Sequence, residues 1–303
     1  MTDLYTRRRS IWCYAWRQRS LWAMSIPGIV LCVTFSYLPM WGILISFKKY
    51  SLYSGFFASR WVGLRYFQQF FNDVFAVRVI INTFLLSFYN LLFSFPMPIF
   101  LALLLNEMRL PKFKKITQTI TYLPHFISTV IIVGMLKTFF SASGIINRIF
   151  DTNINFFMQP EWFRPLYIGS GIWQGIGWGS IIYLAAIAGI DPTLYEAATI
   201  DGASRIHKMR FITLPSIANT IVVLLILNVG RMMSVGFEKV YLMYNETIYS
   251  TADVLSTYVY RMGLQGGNFG YGTAVGLFNS IVNLVLLFIT NAVARKLSDY
   301  SLW

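Results

Sequence analysis

Long apolar stretches separated by short polar segments dominate the pattern of positions along the chain. Six of these stretches reach about 20 residues, the length that a helix needs to cross the hydrocarbon core of a bilayer. They cover residues 22–47, 79–105, 116–136, 166–190, 217–235 and 273–293. The pattern therefore predicts an all-α membrane protein with six transmembrane helices. Pro96 and Pro98 fall inside the second stretch and predict a kink in that helix.

The composition supports this class of protein. Of the 303 residues, 56% are hydrophobic and only 12% are charged, whereas about 25% of the residues of a soluble domain are charged. A surface that meets lipid must be apolar, which confines the charges to the connecting segments. We therefore divide the chain into an N-terminal tail (1–21), a six-helix transmembrane domain (22–293) and a C-terminal tail (294–303).

Basic residues gather in alternate connections and indicate the orientation. They are Arg7, Arg8, Arg9, Arg17 and Arg19, then Arg109, Lys112, Lys114 and Lys115, then Arg205, Lys208 and Arg210, and finally Arg295 and Lys296. The positive-inside rule places this set, and with it both termini, in the cytoplasm. Topology signals and contact with anionic lipid headgroups account for the net charge of +13 without any nucleic-acid partner.

The first apolar stretch is expected to stay in the mature protein. It is longer than the apolar core of about 7–15 residues in a signal peptide. Lys48 and Lys49 follow it, and a small-residue cleavage site does not. We interpret it as an uncleaved first span.

Few residues offer metal or catalytic chemistry. Cys13 lies on the N-terminal tail and Cys32 inside an apolar stretch, so a structural disulfide is not expected. His125 and His207 have no carboxylate cluster near them in the sequence, which argues against a metal site. The chain has no nucleophile elbow, P-loop or glycine-rich dinucleotide fingerprint. We expect no cofactor in this chain, and if ATP drives the protein, ATP and Mg bind to a partner chain.

The connection between the fourth and fifth stretches, residues 191–215, carries the most informative motif. Asp191 can cap a helix whose first residue is Pro192, and that helix is expected to end near Gly202. A second short helix leads to Pro215 and the next apolar stretch. A capped turn, including a capping box formed by Thr193 and Glu196, explains these residues singly but does not explain their joint spacing.

The full string resembles the EAA motif of type I ABC importer permeases. Its matching positions are Glu196, Ala197, Ala198, Gly202, Ile212, Leu214 and Pro215. Shorter motifs over residues 37–39, 61–64, 122–128, 257–264 and 301–303 resemble the LplB-type branch of carbohydrate permeases. The resemblance covers nearly the whole chain, which is also similar to the maltose-type permeases.

This resemblance implies a type I ABC importer permease fold in the bacterial cytoplasmic membrane. It implies import of an oligosaccharide, including one that contains uronate, which an extracellular or periplasmic solute-binding protein delivers. The implied partners are a second homologous permease subunit and two ATPase subunits. The helix around Glu196 would dock on the ATPase. Its coupling residues would be Leu194, Tyr195, Glu196, Ala197, Ala198, Asp201 and Gly202.

Two other classes are open on the sequence alone. A secondary transporter acting without an ATPase would usually carry inverted repeats or buried carboxylates, and a membrane-embedded enzyme would need paired acids, a histidine cluster or a nucleophile. Neither set of features is visible in the apolar stretches. Copurification with an ATPase would separate the importer from both alternatives.

Polar residues on the two stretches that flank the motif are candidates for the substrate path. On the fourth stretch Gly171, Gln174, Gly175, Trp178 and Gly179 share a helical face, and on the fifth Asn228, Arg231 and Met232 do. Amide and indole groups suit sugar hydroxyls and sugar rings, and an arginine suits a uronate carboxylate. We therefore predict a path lined by Gln174, Trp178, Asn228, Arg231 and Met232.

The alternatives for these residues are structural. The glycines could form a small-residue seam for tight helix packing, and Arg231 could extend to the outer headgroups. Asn279 and Asn283 on the last stretch, preceded by Gly272 and Gly276, favour helix packing.

Overall fold

The computed structural model describes residues 18–297. Four of its helices are long and apolar enough to cross a membrane, and six spans result if each of two bent helix pairs is counted as one. The described residues form no strand, and an isolated antiparallel bridge pairs Lys48 with Trp61. The predicted all-α membrane fold is confirmed. The orientation of the termini stays a prediction, and the arginines before residue 18, Cys13 and the motif over 301–303 lie outside the described residues.

Six spans and several short helices make up the bundle. Span 1 is Arg19–Phe47, span 2 is Ala76–Glu107, span 3 is Pro111–Phe126 with Thr129–Phe139, span 4 is Pro160–Ala188, span 5 is Arg205–Ser216 with Ala218–Val229, and span 6 is Phe269–Leu297. Short helices lie at Gly55–Ala58, Arg65–Phe71, Ile145–Phe150, Phe156–Met158 and Pro192–Ile200. The segment between spans 5 and 6 holds Phe237–Met243, Glu246–Ile248, Tyr249–Ala252, Leu255–Val259 and Tyr260–Gln265.

Prolines change the hydrogen bonding of the first two spans without ending them. Span 1 passes from α-helix into a π-helical turn at Val33–Tyr37 and then into a 3-10 segment at Leu38–Phe47. In span 2, the α-helix is interrupted at Phe95, before Pro96, but the φ and ψ of Phe95 stay helical at −68° and −43°. Because a proline has no N–H to donate, Pro96 removes one backbone hydrogen bond of the helix. The helical φ and ψ of Phe95 show that the chain does not turn sharply there.

The prediction of a continuous helix over 116–136 is wrong, because span 3 consists of two helices. Its two halves meet at an angle of 97°, at Ile127 and Ser128. Pro124 lies in the 3-10 turn that ends the first half, and the Ser128 side chain accepts a hydrogen bond from the Ile131 N–H at 3.4 Å to start the second. The apolar pattern predicted the length of this segment but contained no information on its direction.

Span 5 also differs from its predicted extent of 217–235. Its halves are bent by 61° beside Ile217, and the second half ends at Val229. Gly230 follows, where an added Cβ would lie 2.5 Å from Leu287 Cδ1 of span 6. The chain turns after this close contact, so Arg231 and Met232 lie in the turn and not on the helical face predicted for them.

Three hydrophobic cores hold the spans together. The first joins spans 2, 3 and 4 to the segment between spans 5 and 6, and it includes Phe163 and Val240. The second packs Phe70 against Tyr258 and the beginnings of spans 2 and 6. The third lies towards the other ends of spans 2 and 4 and includes Ile217 of span 5. The cores therefore concentrate near the two ends of spans 2 and 4.

Buried polar groups attach the segment between spans 5 and 6 to the bundle. The Asn82 amide on span 2 donates to the carbonyl oxygens of Ser250 and Asp253 at 2.9 and 3.1 Å, and it accepts a hydrogen bond from Arg164 of span 4 at 3.0 Å. The fully buried Asp253 carboxylate forms an ion pair with Arg261 at 2.6 Å, the only ion pair within residues 18–297. Breaking such a buried pair by removing one partner costs about 3–5 kcal/mol.

Glycines of span 4 allow close helix contacts, but only some of them lie on the face predicted from the sequence. A Cβ on Gly177 would lie 2.0 Å from the Thr121 carbonyl oxygen of span 3, and one on Gly179 would lie 2.9 Å from Pro98 of span 2. A Cβ on Gly175 would meet no atom within 4 Å. The tightest contact therefore falls one residue away from the predicted seam.

The pair Gly272 and Gly276 on span 6 gives a test of helix packing. A Cβ on Gly272 would lie 2.7 Å from the Gly263 Cα, whereas one on Gly276 would meet no atom within 4 Å. We expect Gly272→Ala to destabilise the protein by about 1–3 kcal/mol, the usual cost of overpacking, and Gly276→Ala to have no such effect. Thermal unfolding of the detergent-solubilised variants checks this, and equal melting temperatures would contradict the close contact.

Candidate functional site

The short helix Pro192–Ile200 between spans 4 and 5, called the loop helix below, forms as the sequence predicts. The Asp191 carboxylate accepts the Thr193 N–H at 2.9 Å and caps the helix, and this bond lowers the pKa of Asp191. Gly202 follows with a φ of +75°, a conformation that glycine adopts without strain. The sequence thus fixes both ends of the loop helix.

The loop helix is bound on one side to the start of span 5. The Tyr195 hydroxyl hydrogen-bonds the buried Thr213 hydroxyl at 2.9 Å, and Lys208 Nζ donates to Thr199 Oγ1 at 2.6 Å. Thr213 lies at the end of the π-helical turn Met209–Thr213 that leads into Pro215. A displacement of the loop helix is therefore passed to span 5 through side chains and to span 4 through the chain itself.

The other side of the loop helix carries exposed apolar groups. Leu194 is 48% exposed and Ile200 87% exposed, and Ile206 and Phe211 on the following turns are 75% and 66% exposed. Glu196 lies on the exposed surface beside them. Leu194 and Ile200 lie between the candidate spans, and Ile206 and Phe211 lie at the start of span 5. A group of exposed apolar side chains is typical of a surface that another protein covers. Of the predicted coupling residues, Tyr195 and Ala198 are half-buried and the others are exposed.

A cavity of about 410 Å³ lies between spans 2, 4 and 5. Asn228, Arg231 and Met232, predicted as path residues, all line it. Asn228 binds its own helix through a hydrogen bond to the Leu224 carbonyl at 2.8 Å. Arg231 is exposed, and no carboxylate among the described residues forms an ion pair with it.

The remaining wall of the cavity comes from residues that the sequence analysis did not select. Span 2 contributes Ser87, Asn90 and Ser94, and span 4 contributes Tyr167 and Tyr183. The three span 2 residues follow a spacing of three and four, so they share one helical face within an apolar stretch. That polar stripe was the signal available in the sequence. Hydroxyl and amide groups therefore line part of the cavity that Arg231 also lines.

Gln174 and Trp178 do not line this cavity, because they pack against the bend in span 3. The Gln174 amide donates to the Ile127 carbonyl at 3.1 Å. The Trp178 indole stacks on the His125 ring at 4.6 Å with an interplanar angle of 1°, and Phe126 packs edge-on against it at 5.6 Å. Trp178 is still 47% exposed. The structure thus brings three of the five predicted path residues together and places the other two on a separate surface.

A half-buried lysine lies behind the cavity wall. Lys239 Nζ donates to the Tyr167 carbonyl at 2.9 Å and lies 4.8 Å from the centroid of the Tyr167 ring. Gly171 gives this ammonium room, since a Cβ there would approach it to 3.4 Å. Burial lowers the pKa of Lys239 to about 8, so it stays mostly protonated at neutral pH. It adds a second positive charge near the cavity that holds Arg231.

Known proteins resemble this chain over most of its length. It is 46% identical to the protein LplB of Bacillus subtilis over 95% of this chain and 92% of that protein. It is 45% identical to the polygalacturonan/rhamnogalacturonan transport system permease protein YteP of Bacillus subtilis, over 95% of this chain and 91% of YteP.

A solved structure agrees with these relatives. The crystal structure of a bacterial alginate ABC transporter, in complex with an alginate pentasaccharide-bound periplasmic protein, contains a chain that superposes with a TM-score of 0.88 and 44% identity. The match covers 96% of this chain and 99% of that one. Residues 74–299 also match the family described as the binding-protein-dependent transport system inner membrane component. The chain belongs to this family of multi-pass inner-membrane proteins, the permease subunits of ABC importers.

Proposed function

We propose that this permease moves an oligosaccharide, including one that contains uronate, through the cavity between spans 2, 4 and 5. The observation that carries the proposal is Arg231, an exposed cation without an ion-pair partner among the described residues, which lines the same cavity as the amide groups of Asn90 and Asn228. A guanidinium binds a carboxylate with two parallel hydrogen bonds. The transport of polygalacturonan by one relative and of alginate by another supports an acidic cargo here.

The proposal includes partners that supply energy and cargo. Two ATPase subunits bind ATP and Mg, and the loop helix docks on one of them through Leu194, Glu196 and the neighbouring apolar side chains. A second homologous permease subunit completes the path, and an extracellular or periplasmic binding protein delivers the sugar. This places the loop helix, the termini and the basic connections in the cytoplasm.

The geometry suggests how the ATPase would act on the cavity. The loop helix is joined to span 4 by the chain and to span 5 by the bond between Tyr195 and Thr213. Both spans line the cavity. Movement of the docked helix would therefore shift two of the three cavity walls together, as rigid-body alternating access requires.

Reversal of the Glu196 charge tests the docking surface. We expect Glu196→Lys to abolish most sugar uptake and most ATPase stimulation by the loaded binding protein, because it reverses a charge in the proposed protein contact. Membrane insertion should be unaffected. Glu161→Lys, an exposed charge at the other end of span 4, is the control and should behave as the wild type. Normal ATPase stimulation in Glu196→Lys would refute docking through this residue.

The bond between the loop helix and span 5 can be tested with a double-mutant cycle. Tyr195→Phe and Thr213→Val should each lower the sugar transported per ATP about two- to tenfold, since a hydrogen bond contributes about 0.5–1.5 kcal/mol. The double variant should lose no more than either single variant, because both remove one interaction. Additive losses would mean that the two side chains act separately. Reconstituted proteoliposomes allow both uptake and ATP hydrolysis to be measured.

Arg231→Gln tests the acidic cargo. We expect it to raise the KM for tetragalacturonate about 10- to 100-fold, the loss of a charged hydrogen bond of about 1.5–3 kcal/mol. Uptake of the methyl-esterified tetramer, which has the same backbone without the charge, should change little. Arg231→Lys should give an intermediate value, because lysine keeps the charge but not the bidentate geometry. Equal effects on both sugars would remove the acidic-cargo proposal.

A further inference from the structure

An aromatic cluster lies on the segment between spans 5 and 6. It comprises Phe237, Tyr241, Tyr244, Tyr249 and Tyr260, which we call the tyrosine cluster. Phe237 lies 5.2 Å from the Tyr241 ring and 5.0 Å from the Tyr260 ring, and Tyr244 stacks on Tyr249 at 5.1 Å. All five residues are only half-buried. The cluster therefore presents ring faces and hydroxyls at an accessible surface.

The tyrosine cluster is continuous with a second cleft. Phe237 and Tyr260 line a cavity of about 350 Å³, together with Ser256 and Asn279. The hydroxyl oxygen of Ser256 and the amide oxygen of Asn279 are buried and have no hydrogen-bond partner in the described part of the chain. Leaving a buried polar atom without a partner costs about 1–3 kcal/mol. The cleft thus combines flat aromatic walls with polar atoms that lack partners.

Asn279 differs in this respect from its neighbour one turn along span 6. The Asn283 amide oxygen accepts the Met233 N–H at 2.8 Å, and its amide nitrogen donates to Ser234 Oγ at 2.9 Å. Asn283 therefore has the packing role that the sequence favoured for both asparagines. Asn279, in contrast, lines the cleft, and its amide oxygen has no hydrogen-bond partner among the described residues.

The tyrosine cluster directly follows, along the chain, the residues that line the main cavity. Ser234, Val235 and Gly236 line the cavity that contains Arg231, and Phe237 is the next residue in the chain. The aromatic surface therefore begins where the wall of the main cavity ends. Arg261 lies beside it, with its guanidinium 4.7 Å from the centroid of the Tyr249 ring.

We propose that the tyrosine cluster and the adjoining cleft form a second sugar-binding subsite, which holds one pyranose unit of the oligosaccharide next to the main cavity. The aromatic rings would stack on the apolar face of the sugar ring, and its hydroxyls would satisfy Ser256 and Asn279. The inference rests on the proposed function, because it assigns a second contact to the same cargo. A chain of several sugar units would then bind the subsite and Arg231 together.

A lipid is the competing occupant, since tyrosines also gather at membrane interfaces. A hydrocarbon chain fits an aromatic cleft but cannot supply hydrogen bonds to Ser256 and Asn279. The unpartnered oxygens therefore favour a sugar.

The test uses the complete transporter reconstituted in proteoliposomes, with tetragalacturonate and its neutral methyl ester as probes. We expect Tyr260→Leu to raise the KM for both probes about three- to tenfold, the range of one aromatic stacking contact. Tyr260→Phe, which keeps the ring, should stay within about twofold of the wild type by the same reasoning. Ser256→Val should also raise the KM for both probes. This variant tests the subsite independently if Tyr260→Leu fails to assemble.

The outcomes separate this inference from the proposed function. Unchanged KM values in both Tyr260→Leu and Ser256→Val would overturn the subsite, even if Arg231→Gln still discriminates between the charged and neutral probes. A copurified lipid that is present in the wild type and lost in Tyr260→Leu, detected by native mass spectrometry, would overturn it in favour of a lipid site. If the wild type takes up neither probe, the proposed function fails and the subsite fails with it.

Discussion

The side-chain amide of Asn82 holds together the parts of the molecule that surround the cavity. It joins span 2 to Ser250 and Asp253 of the segment between spans 5 and 6, and it accepts a hydrogen bond from Arg164 of span 4. Asn82 and Asp253 are buried, where a polar atom without a partner is costly. The segment that Asn82 helps to fix carries the tyrosine cluster and leads back to the cavity wall, so this side chain contributes to the positions of both.

The cavity lies between two packed regions and not inside either of them. Leu86, which lines it, belongs to the core that contains the segment between spans 5 and 6, and Tyr183, which also lines it, belongs to the core near the loop helix. Packed cores resist gradual deformation and tend to move as units. If the two cores move relative to each other, the cavity between them changes shape, while each core keeps its internal contacts. The site is therefore placed where motion costs little packing energy.

The sequence predicted the elements better than their directions. Apolar length predicted six segments, of which four are single long helices and two are bent helix pairs. Capping residues predicted the loop helix from Pro192 to Ile200, and both signals are local. The bend at Ile127 and the early end of span 5 at Val229 follow from contacts with other spans, which no local pattern records. Gln174 and Trp178 had the chemistry of a sugar site. In the structure the Gln174 amide donates to the Ile127 carbonyl, and the Trp178 ring stacks on His125, so both contact the bend. Ser87, Asn90 and Ser94 could have been found from their shared face.

The bend in span 3 has a consequence for how the protein is made. An interrupted helix exposes backbone carbonyls that lipid cannot hydrogen-bond, and the Ile127 carbonyl receives its bond from Gln174, 47 residues later in the chain. At about 5–20 residues per second, the ribosome supplies that partner only about 2–10 seconds after Ile127. During this interval the Ile127 carbonyl lacks its final partner. The segment is then expected to wait as a straighter helix and to fold at Ile127 once span 4 has been synthesised beside it.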